Sequence, residues 1–323
     1  MHAQPSKNMD PELLGHFGCQ ALLLAGSMPK LSPAWTLKPN RNRTRKWRYN
    51  FIVIIEFLSL CVCASVTVLA VHFLVVPGIA SLCHQLAFSE KTEGQIIGYA
   101  TSLPEFVVVI SSAMSGVKEA GFWNIASSNM INWVLFLLAV GIFRQWQDLR
   151  RLAFLDELTF GLLSVAVPLF LLGIRIDPTI PICLGLIGFF VTYKILDARF
   201  FHCAELRIEE LDSVSARDSG RAIGSIAIGI FMVLIAGHFL GKSAETLILK
   251  LSIPSWMVGW ILGSITSIPE LTSFIEIYGF HKKRDTLYLL KDTQEALDAL
   301  VASNMSNLGI ILPIGMMLFL WMT

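Results

Sequence analysis

The chain has 323 residues, 54% of them apolar and 15% charged, with a formal net charge of +1. Soluble domains carry about a quarter charged residues, so this composition argues against a water-soluble enzyme or carrier. The net charge says nothing about nucleic acid or acidic partners, and no nucleic-acid partner is expected. The six cysteines, at 19, 61, 63, 83, 183 and 203, show no paired metal spacing or disulfide framework and read as apolar packing.

In chain order, residues 1–49 form a polar tail ending in the basic run Arg41-Asn42-Arg43-Thr44-Arg45-Lys46-Trp47-Arg48. Its mildly apolar part, 12–28, is interrupted by Gly15, His16, Gly18 and Gln20 and lacks a basic start, so it reads as neither a span nor a signal peptide. Eight apolar runs follow, near 51–77, 94–116, 121–143, 155–174, 179–197, 222–248, 254–280 and 295–322. Each suffices to cross a bilayer as a helix, which takes about 20 residues. The runs are continuous and do not alternate, which argues against strands and a β-barrel. The expected fold is therefore all-α: a multi-pass membrane protein of eight transmembrane helices. A first membrane half (50–197) and a second (221–323) are joined by a charged linker, 198–220. The linker carboxylates Glu205, Glu209, Glu210 and Asp212 read as a solvated face.

The two halves repeat one another. Thr101-Ser102-Leu103-Pro104-Glu105 lies in the second helix and Thr266-Ser267-Ile268-Pro269-Glu270 in the seventh. One hairpin later come Ser128-Asn129-Met130-Ile131-Asn132 and Ser303-Asn304-Met305-Ser306-Asn307. Upstream, His72 and His238 sit in matching segments at nearly equal distances from Glu105 and Glu270, and both read as hydrogen-bonded helix histidines. The repeat unit is thus helices 1–3 and 6–8, with helices 4 and 5 lacking counterparts. The two pentad helices are an odd number of crossings apart, so they traverse the membrane in opposite directions and the repeat is inverted. Outside the tail, 13 Lys and Arg fall on the linker's side and 4 on the other. That excess puts the linker in the cytoplasm, although the basic run at 41–48 lies on the opposite side.

Intramembrane carboxylates are costly and mark functional sites. The i, i+1, i+4 spacing of Thr101, Ser102 and Glu105 puts three oxygen-bearing side chains on one helix face. The spacing recurs at Ser128, Asn129 and Asn132, at Thr266, Ser267 and Glu270, and at Ser303, Asn304 and Asn307. Oxygen ligands suit hard cations such as Na⁺ and Ca²⁺, with H⁺ as a competitor. Pro104 and Pro269 loosen their helices and free the carbonyls of Ala100 and Ile265. Two carboxylates about 6 Å apart repel by roughly 3 kcal/mol. Either a divalent ion, several monovalent ions or a proton relieves that repulsion, which is the physical basis of antiport.

At these residues the chain resembles the cation/Ca²⁺ exchanger superfamily, which includes the sodium/calcium exchangers. The resemblance covers about 70–143 and 234–312 and implies a helical transporter with a central ion site between two inverted repeats. It also implies cation ligands at Thr101, Ser102, Glu105, Ser128, Asn129, Asn132, Thr266, Ser267, Glu270, Ser303, Asn304 and Asn307. Four departures stand out. The family's glycine before Thr-Ser is Ala100 in one half and Ile265 in the other, where a branched residue is expected to crowd the site. The glycine before Ser-Asn is Ser127 and Ala302. The second Glu-to-Asn interval is ten residues longer than the first. The last two of the family's ten helices have no counterpart.

The expected activity is Na⁺/Ca²⁺ exchange by alternating access, with Ca²⁺ and Na⁺ as substrates, no cofactor, no enzymatic activity and residence in the plasma membrane. The rival readings are a proton-coupled or other divalent-cation antiporter, and a non-transporting membrane protein that binds cations or a partner. Assembly as a homodimer stays open.

Overall fold

The computed structural model describes residues 41–86, 88–150, 155–175, 177–200, 216–283 and 291–322. The chain divides into two units, Met1–Thr44 and Arg45–Thr323. Most of the first unit, and the centre of the charged linker with Glu205, Glu209, Glu210 and Asp212, lie outside the described residues.

Among the described residues of the second unit, eight helices are long and apolar enough to cross a membrane. They are α1 (Phe51–Cys83), α2 (Lys91–Met114), α3 (Lys118–Phe143), α4 (Leu155–Gly173), α5 (Ile180–Ala198), α6 (Ser219–Lys250), α7 (Ser255–Gly279) and α8 (Asp292–Met322). These follow the eight apolar runs closely. The largest difference is at α1, which continues to Cys83, beyond its run; α1 and α6 each contain a π-turn, Val71–Val75 and Thr246–Lys250.

The motif helices form the centre. In α2, α3, α7 and α8, 56–61% of the apolar window is buried, against 17–28% in α1, α4, α5 and α6. The peripheral helices instead turn apolar side chains outward: Phe57, Val62 and Phe73 on α1, Leu162 and Phe170 on α4, Ile228 and Phe231 on α6. An apolar outer surface of this kind is what a lipid-facing helix presents. Cys61 shares that exposed surface, whereas Cys63, Cys83 and Cys183 are buried as expected.

The halves pack crosswise. α2 lies along the start of α8, and α7 lies along α3. Glycines permit both contacts. A Cβ on Gly98 would stand 2.2 Å from the carbonyl oxygen of Ala299, and one on Gly263 would stand 2.1 Å from the Ser127 hydroxyl and 2.9 Å from the Ser128 nitrogen. One turn earlier Gly94 abuts Glu295 and Gly259 abuts Trp123. Both pentad helices therefore carry a G-x-x-x-G face, a common device for close helix approach in membranes. Each glycine pair brings a Thr-Ser-x-Pro-Glu segment against the Ser-Asn segment of the other half.

α1 and α6 pack on one another, with Gly78 against Ile226 and Gly229 against Val75. Ala100 and Ile265, which stand in place of the family's glycine, belong to the apolar clusters that α1 and α6 share with α2 and α7. Ile265 thus fills core beside Leu240 and Leu262, which corrects the expectation of a branched side chain pressing on the site.

Candidate cation-binding site

Both pentads interrupt their helices at the second residue. α2 is a segment Glu90–Thr101, a break at Ser102 and a second segment Leu103–Met114. α7 repeats this with Ser255–Thr266, Ser267 and Ile268–Lys283. Proline in the first turn of each second segment explains the break, since it cannot donate to the carbonyl four residues back. The breaks change the expectation that Thr, Ser and Glu share one face of a continuous helix. Thr101 and Thr266 end one segment, while Glu105 and Glu270 occupy the first turn of the next.

All twelve motif side chains are buried, none more than 1% exposed. The asparagines make a two-fold ring between α3 and α8. Asn129 Nδ2 donates to the Asn304 carbonyl (3.2 Å), and Asn304 Nδ2 donates to the Asn129 carbonyl (3.1 Å). Asn132 Nδ2 donates to Asn304 Oδ1 (3.0 Å), and Asn307 Nδ2 donates to Asn129 Oδ1 (2.9 Å). These bonds fix which way each amide faces, and they leave Asn132 Oδ1 and Asn307 Oδ1 without a donor.

The hydroxyls divide between local and cross-half roles. Thr101 and Ser102 both donate to the Gly98 carbonyl (3.1 and 3.0 Å), and Ser128 donates to the Ile125 carbonyl (3.1 Å). Ser102 also reaches Ser303 (2.9 Å), which donates to Glu270 Oε1 (3.2 Å). Ser267 reaches the Ser128 carbonyl (3.4 Å), and Thr266 reaches Asn124 Oδ1 (3.4 Å). So the hydroxyls point their protons largely at backbone, while their oxygen lone pairs stay in the buried centre.

The carboxylates are the exception to this accounting. No hydrogen bond of good geometry meets either oxygen of Glu105 or Oε2 of Glu270, although the Thr266 hydroxyl stands near Glu105 and the Asn132 amide near Glu270, and the two carboxylates repel one another. Five buried oxygens, with two carboxylates among them, therefore lack a donor where the four motif helices meet. Buried polar atoms are almost always paired, so this concentration marks a place built for a positively charged oxygen-seeking partner.

Two neighbours were not evident from the motifs. Asn124, one turn before Ser128, is fully buried, accepts from Thr266 and has an undonated Nδ2. Its signal was a lone amide in an apolar run. Ser306 donates to Ser102 (3.3 Å) and the Ser303 carbonyl (2.8 Å); it stands where the first repeat has Ile131.

The profile of the family described as "Sodium/calcium exchanger protein" matches residues 33–196 and 221–321. Curated protein sequences yield no match. Among solved structures, the chain is similar to the sodium-calcium exchanger NCX_Mj soaked with 100 mM Na⁺ and 10 mM Sr²⁺. That match has 17% identity over 82% of this chain and 83% of that one, with a TM-score of 0.52. The H⁺/Ca²⁺ exchanger CAX is also similar, at 13% identity over 86% of this chain and 71% of that one, with a TM-score of 0.54. At such identities the likeness speaks to the fold, a helical transporter architecture.

Proposed function

Because the chain belongs to the sodium/calcium exchanger family, we propose that it is a secondary-active antiporter that exchanges Ca²⁺ for Na⁺ by alternating access. The observation that carries the reading is the set of five undonated oxygens from Glu105, Glu270, Asn132 and Asn307 at the junction of α2, α3, α7 and α8. Two carboxylates balance one divalent ion or two monovalent ions, so binding of one kind excludes the other. The amide oxygens supply neutral ligands, and the asparagine ring holds them in place. Thr101, Ser102, Ser128, Asn129, Thr266, Ser267, Ser303 and Asn304 complete the ligand set through hydroxyl, amide or backbone oxygens.

Release on alternate sides requires part of the protein to move against this centre. The α1–α6 pair is suited to that, since α6 meets α2 partly through glycines: Gly237 faces Val107 and Gly241 faces Ser111. Glycine contacts present a smooth surface with little interdigitation to break. The plasma membrane, and assembly as a homodimer, complete the proposal.

A second reading replaces Na⁺ with H⁺. It is favoured by the same carboxylates, since one that accepts no hydrogen bond can be neutralised by a proton as well as by a metal cation. The test is uptake of radiolabelled Ca²⁺ into proteoliposomes loaded with Na⁺ and diluted into Na⁺-free buffer, beside vesicles carrying only a pH gradient. Na⁺-driven uptake that disappears in Glu105→Gln and Glu270→Gln protein is the expected result. Uptake driven by pH alone selects the proton-coupled reading. No uptake under either gradient from folded protein overturns both and leaves a cation-binding membrane protein that does not transport.

A further inference from the structure

A second group of buried carboxylates lies outside the motifs, on the linker's side of the membrane. The first segment of α8 buries Asp298, which is 1% exposed and has an undonated Oδ2. The first turn of α4 buries Glu157, which is 4% exposed and, apart from the neighbouring Asp156 carboxyl group, meets no hydrogen-bond partner. α4 and α8 are an even number of crossings apart, so they run in the same direction. They touch where Gly161 faces Val301. Glu157 comes four residues before Gly161, and Asp298 three before Val301, which sets the two acids level on adjacent helices. Their charges interact, and the carboxyl group of Asp156 lies against Glu157.

Among the described residues, Lys91 and Lys194 both make contacts of their own with Asp197. Lys91 attracts Asp298 but is ion-paired with Asp197. Lys194 donates to Gln95 Oε1 (2.7 Å) and stands 3.6 Å from Asp197, which also accepts from Gln95 Nε2 (2.9 Å). Asp197 thus holds both lysines. Packing symmetry does not require the acid at 298. The position equivalent to Asp298 in the first repeat, five residues before the Ser-Asn motif, is Trp123.

We propose that Glu157 and Asp298 form an accessory site for a hard divalent cation of the Ca²⁺ class. Five residues of helix, about 7.5 Å of rise, separate Asp298 from Ser303. A cation held there stands one step from the central site on its linker-side approach. That role as a staging point rests on the exchanger reading; the binding itself does not.

The test is equilibrium dialysis of detergent-solubilised full-length protein against radiolabelled Ca²⁺ in Na⁺-free buffer. In Glu105→Gln/Glu270→Gln protein, in which the central carboxylates are neutral, about one Ca²⁺ per chain is expected to remain. Adding Glu157→Gln or Asp298→Asn is expected to weaken that remaining binding about tenfold or more, since Ca²⁺ affinity follows ligand charge. Remaining binding that responds in this way supports the accessory site whether or not the unaltered protein transports, so failure of the exchanger reading is separately visible. If the Glu105→Gln/Glu270→Gln protein keeps its gel-filtration profile yet binds no Ca²⁺, the proposal is overturned. It is equally overturned if the added substitutions leave binding unchanged. Should Asp298→Asn fail to fold, Glu157→Gln alone decides between these results.

Discussion

In the first repeat Asn132 sits inside an unbroken helix, Lys118–Phe143, whereas its counterpart Asn307 opens a π-turn, Asn307–Ile311. Ser128 donates to its own helix, while its counterpart Ser303 donates to Glu270. Glu105 therefore receives no hydrogen bond of good geometry, whereas Glu270 receives one from Ser303. Around the motifs the difference widens: α8 buries Asp292, Glu295 and Asp298, where the equivalent positions of the first repeat are Val117, Ala120 and Trp123. The helical frame is two-fold, but the charge set into it is not. An inverted repeat supplies two matched half-sites, and unequal polar surroundings give the two membrane faces different chemistry.

The largest expected effect separates the two central acids. Glu105→Gln and Glu270→Gln should each reduce Ca²⁺ flux by about 100-fold or more, read as initial uptake in proteoliposomes. In buffer without Ca²⁺ or Na⁺ they should diverge. Glu105→Gln removes a buried carboxylate that accepts no hydrogen bond and should raise the thermal unfolding midpoint, whereas Glu270→Gln disturbs the Ser303 bond and should raise it less. Equal shifts would break the claimed asymmetry.

Helix spacing comes next. Gly98→Ala must displace the Ala299 carbonyl and should cost about 1–3 kcal/mol in unfolding free energy. Gly263→Ala meets a hydroxyl first and should cost less, with part of the loss recovered in a Ser127→Ala background. No recovery would show that the Ser128 backbone, not the hydroxyl, limits the approach.

Smaller still, Asn132→Ala and Asn307→Ala each remove one undonated oxygen and one bond of the ring. Each should weaken Ca²⁺ binding about tenfold, and by similar factors, if the four amides act as a unit. A clearly larger effect at Asn307 would assign a role to its π-turn, since such turns recur at functional sites. The smallest effect belongs to His72 Nδ1 and Glu276 Oε1, 2.8 Å apart between α1 and α7 and both about a third exposed. The first repeat has Ser111 in place of Glu276. The pair lacks hydrogen-bond geometry and lies away from the central site, so His72→Ala and Glu276→Gln should each change flux by a few-fold at most. The double variant should do no more than either alone.

The eight spans, the inverted repeat and the twelve candidate oxygen-bearing residues were legible in the sequence alone. Each rests on local or periodic information: run length against bilayer thickness, an odd number of crossings between matched motifs, and costly polar groups in apolar runs. The helix breaks at Ser102 and Ser267 were half legible. Proline announced a loosening, but only the backbone showed that Thr and Glu fall on separate segments. Tertiary structure alone decided which oxygens stay without donors, because that depends on which amide of one half meets which carbonyl of the other. It also decided that Ile265 faces the α1–α6 core, and that Glu157 and Asp298, 141 residues apart in sequence, stand level on neighbouring helices. Sequence spacing carries charge and periodicity along one helix; contacts between helices arise only when the chain has closed on itself.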